Sequence, residues 1–300
     1  MRGFLLISLS AAGFALMPIF SLYAYRDGLN VTTLLFLRFL IAAAIFLPYV
    51  WWRRDWGQLV AVDVLFLFIL GGVLYAAQST LYFSSVQHIS PAFAVLLLYL
   101  YPGLVAVTSA VVNKEMPSVV VMFSIVLSFA GVALALGRIE SGVSFVGIVE
   151  AVGAAIVYTI YIVFGDRVGL TISPVAISAF VSVFAAASFA FFGVFFGQLH
   201  FSFAAVGWLS VLAVAFVSTV LAIFCFFAGM ELVGPTKASI GSMLEPVVNI
   251  VASVVLLGAS MTAMQMVGAA MVLAGSMLSL LSRGNAPTSA AVHEPEITAR

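Results

Sequence analysis

The sequence predicts an all-α integral membrane protein with ten transmembrane helices, arranged as two inverted five-helix repeats. Hydrophobic residues make up 64% of the 300 residues and charged residues only 7%, whereas a soluble domain carries roughly 25% charged residues. Apolar segments of about 20 residues, the length needed to cross a bilayer, follow one another along the chain. In addition, two prolines recur at a fixed separation in the second half of the sequence.

Five predicted spans fill the first half of the chain. They cover residues 3–25, residues 31–51, two segments of the uncharged stretch 64–113 that are divided at 87–91, and a segment between 115 and 138. The first of these is interpreted as a retained span, because it is longer than the apolar region of a signal peptide and lacks a clear cleavage site.

The second half repeats this pattern. It contains spans at 145–165, two segments within the uncharged stretch 168–230 that are divided near 197–200, and two further spans between 235 and 281 that are divided near 258–261. The expected organisation is therefore a first repeat (1–137), a hinge loop (138–144), a second repeat (145–282) and a polar cytoplasmic tail (283–300).

Ten spans place both chain ends on one side of the membrane. That side would carry six basic residues, namely Arg2, Arg53, Arg54, Lys114, Arg167 and Arg283, and the other side two, namely Arg26 and Arg138. Loops rich in Lys and Arg remain in the cytoplasm. We therefore expect a multi-pass protein of the cell (inner) membrane with both termini cytoplasmic.

The repeat is read from prolines. Pro235 and Pro246 follow Pro91 and Pro102 by 144 residues each. A repeat with an odd number of spans must lie upside down relative to its copy, a plan used by many secondary transporters that bind substrate between their halves near the bilayer midplane. A proline removes a backbone hydrogen bond and bends a helix, so all four are predicted hinges.

Charged residues within the spans provide further candidates. Glu245 precedes a proline in an apolar segment, where a carboxylate is costly unless it is neutral, paired or hydrated, and it suits proton coupling or substrate binding as well as a structural role. Lys237 could bind a substrate carboxylate, although a position at the headgroups is favoured. Arg38 is interpreted as structural, with Glu150 as one possible partner.

Polar and aromatic side chains form a predicted binding surface. Tyr75, Gln78, Ser79 and Tyr82 are spaced three and four apart and share one helix face, which indicates either a hydrated cavity or contact with another helix. The other candidates for substrate binding are Tyr99, Tyr101, Tyr158 and Asn249. Tyr99 and Tyr101 lie two residues apart and are not expected to share a face of a regular helix.

Several strings of residues resemble the EamA-type permeases of the drug/metabolite transporter superfamily over about residues 3–282. They are Leu37-Arg38-Phe39-Leu40, Ser90-Pro91-Ala92, Tyr101-Pro102 and Glu115 in the first half, and Leu232-Val233-Gly234-Pro235 and Glu245-Pro246-Val247 in the second. The sequence departs from the family pattern at Gly258-Ala259-Ser260, which stands where the first half has Asn113-Lys114-Glu115. Many relatives keep a Glu at this place in the second half as well. The resemblance implies a ten-helix exporter of small metabolites, often amino acids.

The predicted function is secondary export of small metabolites, with neutral or aromatic amino acids as the expected substrates and the lipid bilayer as the surroundings. A monomer is compatible with the sequence. A passive facilitator or channel, or an exporter of other metabolites or drugs, is the alternative. Neither a phosphate-binding loop nor an H-E-x-x-H motif occurs, and the even charge balance disfavours nucleic acid. We therefore expect no enzyme activity, no cofactor and no metal.

Overall fold

A computed structural model describes residues 1–54, 59–114, 118–136, 144–168, 172–233, 238, 241–242 and 244–283. The predictions for Glu115, Arg138, Pro235 and Lys237 lie outside these residues. So do those for most of the hinge loop and for nearly all of the tail.

Helices account for nearly all of the described residues, and no strand occurs among them. The first five are α1 (Arg2–Arg26), α2 (Val31–Arg53), α3 (Ala61–His88), α4 (Pro91–Leu98) and α5 (Tyr101–Asn113). The next six are α6 (Val119–Leu136), α7 (Phe145–Val168), α8 (Pro174–Phe195), α9 (Ala205–Val233), α10 (Leu244–Leu257) and α11 (Ala263–Arg283).

Seven helical segments among the described residues are long and apolar enough to cross a membrane, with α4 and α5 counted as one such segment. Three shorter apolar helices coincide with parts of α6, α10 and α11. Many large apolar side chains point away from the interior of the protein, and Val126 and Val255, for example, are 66% and 73% exposed. Such a surface is suited to contact with lipid rather than with water.

Residues that favour helix caps mark several of the helix boundaries. Ser90 and Ser173 cap α4 and α8 by accepting hydrogen bonds from Phe93 N and Ala176 N, and each is followed by a proline in the first turn. Gly258 ends α10 with φ = +65°, a conformation that favours glycine. The predicted divisions at 87–91, 197–200 and 258–261 are thus confirmed as breaks between helices.

Two helices contain a π-helical segment. It covers Ile69–Tyr75 in α3 and Ala213–Leu221 in α9. These segments begin 144 residues apart, as do α3 and α9 themselves. The starts of α6 and α11 are separated by the same 144 residues. π-Helical turns are uncommon and occur frequently at functional sites.

Helix contacts follow a reciprocal pattern. α1 packs on α9 and α10, whereas α7 packs on α3, α4 and α5; α2 packs on α8, and α6 on α11. The principal buried cluster includes Phe39, Phe83 and Leu97, which are at most 2% exposed. The close approach of α6 and α11 depends on glycine, because a Cβ atom at Gly131 would lie 2.7 Å from the carbonyl oxygen of Gly268.

Candidate functional site

A cavity of about 360 Å³ lies among the helices, within the usual size range of small-molecule sites. Eight of the nine predicted binding residues line it, namely Tyr75, Gln78, Ser79, Tyr82, Tyr99, Tyr101, Tyr158 and Glu245. Phe14 and Met17 of α1, Arg38 of α2 and Ser178 of α8 also line the cavity.

The face of α3 that borders the cavity begins where its π-helical segment ends. Tyr75 is the last residue of that segment, and Gln78, Ser79 and Tyr82 follow on the next turns. Gln78, Ser79 and Tyr82 are all buried, at 7%, 1% and 6% exposure. The hydroxyl of Ser79 donates a hydrogen bond to Gln78 Oε1 at 3.4 Å. This face therefore offers a hydroxyl- and amide-bearing wall in a largely apolar interior.

Five tyrosine rings form a continuous series of contacts beside the cavity. The ring centroids of Tyr99 and Tyr101 are 5.9 Å apart, and those of Tyr101 and Tyr158 are 4.8 Å apart. The series continues from Tyr158 to Tyr161 at 5.8 Å and from Tyr161 to Tyr75 at 5.3 Å. Offset and edge-to-face contacts of this kind hold aromatic rings in fixed orientations.

Tyr99 and Tyr101, both predicted to bind substrate, border the cavity, although residues two apart were not expected to share a helix face. The expectation assumed a regular helix, in which residues two apart point in different directions. Instead, α4 ends at Leu98 and α5 begins at Tyr101, so the regular helix is interrupted at Tyr99 and Leu100. Pro102 lies in the first turn of α5, where a missing N–H costs little. The break lies in the turn before Pro102, where a proline removes the hydrogen bond to the carbonyl four residues earlier, and the role of Pro102 as a hinge stays a prediction.

Glu245 lies near the start of α10 and borders the cavity. The Tyr99 hydroxyl donates a hydrogen bond to Glu245 Oε2 at 3.1 Å and also lies 3.4 Å from the carbonyl oxygen of Ser242. The carboxylate thus connects α10 with the break between α4 and α5.

Arg38, interpreted from the sequence as structural, has its hydrogen-bond partner on α9. Only 2% of Arg38 is exposed, yet it lines the cavity. Its Nε donates to Thr219 Oγ1 at 2.9 Å, and Thr219 in turn donates to the carbonyl oxygen of Val214 within the π-helical segment of α9. Its guanidinium carbon lies 5.2 Å from the ring centre of Phe83. The signal available in the sequence was a lone cation in an otherwise uncharged span.

Two further expectations meet different outcomes. The suggested pairing of Arg38 with Glu150 is not found, because Glu150 Oε2 lies 3.8 Å from His88 Nε2 instead. Asn249 is fully buried but does not line the cavity, and its side-chain amide donates to the carbonyl oxygen of Ala15 at 2.6 Å. It connects α10 to α1. Of the predicted hinges, Pro91 and Pro246 lie in the first residues of α4 and α10.

A second polar cluster lies at the end of the molecule where α2 begins. Asn30 Nδ2 donates to the carbonyl oxygen of Gln198 at 2.6 Å, and Thr32 Oγ1 donates to Gln198 Oε1 at 2.9 Å. The His200 backbone N–H donates to Thr33 Oγ1 at 3.1 Å. These bonds join the start of α2 to the connection between α8 and α9. Within the described residues, no group of His, Cys, Asp and Glu is positioned to hold a metal ion.

Comparisons with known proteins give one family and one fold. A model described as the EamA-like transporter family matches residues 1–137 and 145–281. A crystal structure of another protein is similar with a TM-score of 0.67 and 20% sequence identity, covering 94% of this chain and 98% of that one. At this identity the likeness shows the fold alone. No curated protein matches the sequence.

Proposed function

Because the chain belongs to the EamA-like transporter family, a family of membrane transporters for small substrates, we propose that it exports neutral and aromatic amino acids by alternating access. Membership of a transporter family is consistent with a protein that is not an enzyme. The observation that carries the proposal is the cavity of about 360 Å³, which combines tyrosine rings with a hydroxyl- and amide-bearing wall.

Alternating access requires a pathway whose two ends open in turn. We propose ten spans in two inverted repeats, formed by the seven long segments and the three shorter apolar helices. The separation of 144 residues between the starts of α3 and α9, and between those of α6 and α11, supports this arrangement. The reciprocal packing of α1 on α9 and α10 and of α7 on α3, α4 and α5 agrees with a two-fold relation.

The direction of transport depends on orientation. We propose that both termini face the cytoplasm from the inner membrane, following the excess of Arg and Lys on that side. In this orientation Ser178, one turn from the start of α8, marks the cytoplasmic end of the cavity, whereas Asn30 and Gln198 join elements at the outer end. This arrangement suits loading from the cytoplasm.

The substrate class follows from the lining. Tyrosine provides a large apolar area with a polar tip, and Phe226 and Phe227 add an apolar surface. The sequence motifs also resemble those of the bacterial aromatic and neutral amino-acid exporter YddG. A passive facilitator is the alternative mechanism, and other small metabolites or drugs are the alternative substrates. We propose that two sites act as hinges, namely the start of α4 at Pro91 and the junction between α4 and α5 just before Pro102.

The test is uptake into liposomes that contain the purified full-length protein. We expect phenylalanine, tryptophan and neutral aliphatic amino acids to enter faster than into empty liposomes, with acidic and basic amino acids excluded. Preloading with unlabelled substrate should accelerate uptake, because a carrier exchanges substrate across the membrane. No uptake of any amino acid would contradict the substrate class. Uptake without acceleration by preloading would favour the passive facilitator.

A further inference from the structure

The cavity contains a charge pattern that its aromatic lining does not explain. Among the described residues that line it, Arg38 is the one cation and Glu245 the one anion. Neither takes part in an ion pair within the part of the chain that the structure describes. Two opposite charges therefore border the same small space without neutralising each other.

Burying the Arg38 guanidinium in the protein interior carries a free-energy cost. A guanidinium in a membrane interior must find acceptors or an anion. Thr219 Oγ1 accepts from its Nε, and its guanidinium carbon lies 4.7 Å from the ring centre of Phe39 and 5.2 Å from that of Phe83. A guanidinium has five N–H donors in a planar fork that matches a carboxylate. These neutral acceptors leave its charge uncompensated, and the cavity lies beside it.

The Glu245 carboxylate also lacks a full set of hydrogen-bond partners among the described residues. The Tyr99 hydroxyl donates to its Oε2, whereas its Oε1 accepts no hydrogen bond from a described residue. Its position near the start of α10 gives a modest stabilisation from the helix dipole, but no cation approaches it within the described residues. A positively charged group in the cavity would complete its hydrogen bonding.

The two charges face a common neighbour. Tyr82 lines the cavity together with Arg38 and Glu245. Phe226, from α9, lines the same space and offers an apolar surface. A ligand that satisfies this arrangement carries one anionic group, one cationic group and an apolar side chain.

We propose that Arg38 and Glu245 bind the two charges of an α-amino acid, with the guanidinium contacting the substrate carboxylate and Glu245 contacting the substrate ammonium. This inference rests on the proposed function and specifies how its site recognises substrate. Arg38 thereby becomes a specificity-determining residue. The polar wall of α3 would then contact the head of the amino acid, and the apolar surface of α9 its side chain.

The test compares three ligands of nearly equal size on the detergent-purified full-length protein. They are L-phenylalanine, L-phenylalaninamide, which lacks the carboxylate, and 3-phenylpropionate, which lacks the ammonium. Binding is measured as the ligand concentration that gives half-maximal thermal stabilisation. Because each lost charge contact is expected to weaken binding about tenfold or more, the amide and the acid should each require at least that much more ligand than phenylalanine.

Two substitutions assign the two ends of the ligand. Arg38→Gln should weaken phenylalanine binding and remove the distinction between phenylalanine and its amide. Glu245→Gln should instead remove the distinction between phenylalanine and 3-phenylpropionate. Arg38→Lys should retain part of the carboxylate preference. Glu231→Gln is the matched control, because this carboxylate is exposed near the end of α9, and all three affinities should remain unchanged.

Equal binding of the three ligands by the unsubstituted protein would overturn the proposal even if neither variant folds. An equal loss of affinity for all three ligands in both variants, or no stabilisation by any amino acid, would also overturn it. The exporter proposal fails separately. If phenylalanine binds with the expected preference but does not enter liposomes, recognition of the two charges stands and transport does not.

Discussion

α3 and α9 border the cavity with opposite chemistry on closely related backbones. Both contain a π-helical segment that begins eight residues after the start of the helix. Three pairs of positions 144 residues apart line the cavity in both helices, namely Ser79 and Ile223, Tyr82 and Phe226, and Phe83 and Phe227. α3 has polar side chains at two of these positions, and α9 has apolar side chains at all three.

The difference explains how a duplicated plan yields a site for an asymmetric molecule. Two identical walls would favour a ligand that is the same at both ends. A polar wall opposite an apolar wall instead favours a ligand with a polar head and an apolar side chain. Tyr75 and its counterpart Thr219 have also diverged, because Thr219 holds the Arg38 side chain rather than lining the cavity.

The largest expected effect comes from making the polar wall resemble the apolar one. Gln78→Ala combined with Tyr82→Phe introduces the residues that stand 144 positions later. We expect the rate of phenylalanine uptake into liposomes to fall about tenfold or more, since two buried hydrogen-bonding groups that face the substrate are lost. Gln87→Ala is the matched control, because this exposed amide lies on the same helix and does not line the cavity. A double variant with unchanged uptake would show that the polar wall does not contact substrate.

A smaller effect is expected on the apolar wall. Phe226→Ala removes a ring that lines the cavity but leaves the polar wall intact. The preference for phenylalanine over alanine should fall about fivefold, because the lost apolar contact is worth about 1 kcal/mol, the lower end of the range for such pockets. The measurement is competition between the two amino acids for uptake. A similar loss for both amino acids would assign Phe226 to packing instead of selectivity.

The divisions between helices could be predicted from the sequence because charges, prolines and glycines mark them. The face formed by Gln78, Ser79 and Tyr82 followed from helical periodicity, and the structure brings these residues to the cavity. Helical periodicity gave the wrong expectation for Tyr99 and Tyr101, because it assumes that a span is one regular helix. The break between α4 and α5 lies in the turn before Pro102, and a proline indicates such a break without giving the directions in which the flanking rings point.

The sequence also did not predict which residues far apart in the chain would contact each other. Arg38 could be identified as an isolated cation, but its partner Thr219 lies 181 positions away. Glu150 was a reasonable acid to suggest, yet the fold brings it to His88. Asn249 shows the converse, since an amide in an apolar span suggested a binding residue whereas its side chain connects two helices. The sequence thus identified polar residues in the interior more reliably than the partners that satisfy them.

The polar cluster at the start of α2 is expected to have a modest effect on access to the cavity from outside the membrane. Thr33→Val removes the hydroxyl that accepts from the His200 N–H and donates to the carbonyl oxygen of Gln198 at 3.3 Å. If this cluster closes the outer end of the cavity, Thr33→Val should make the cavity more accessible from outside. A reporter cysteine introduced by Ser79→Cys in a Cys225→Ala background should then react about twofold to tenfold faster with a membrane-impermeant thiol reagent added outside. This factor corresponds to about 0.5–1.5 kcal/mol for a lost hydrogen bond. Thr32→Val, which loses one bond to the Gln198 side chain, is the milder comparison. Equal reaction rates would exclude a closing role.

The smallest effect on transport is expected where the two halves of the chain resemble each other most. Gly131 in α6 and Gly275 in α11 are 144 positions apart, and each lies against the other helix. A Cβ atom would be 2.7 Å from the Gly268 carbonyl oxygen in the first case and 2.6 Å from the Ser124 carbonyl oxygen in the second.

Because backbone atoms cannot move aside as readily as side-chain ends, Gly131→Ala and Gly275→Ala should each lower the free energy of unfolding by about 1–3 kcal/mol. The measurement is the melting temperature in detergent. Gly165→Ala is the matched control, since its Cβ would lie 3.5 Å from the end of the Leu70 side chain. Uptake per folded molecule should stay nearly constant in all three variants, because none of the three glycines lines the cavity. A selective loss of phenylalanine uptake at normal stability would mean that the α6–α11 pair moves during transport rather than serving as a fixed support for the polar and apolar walls.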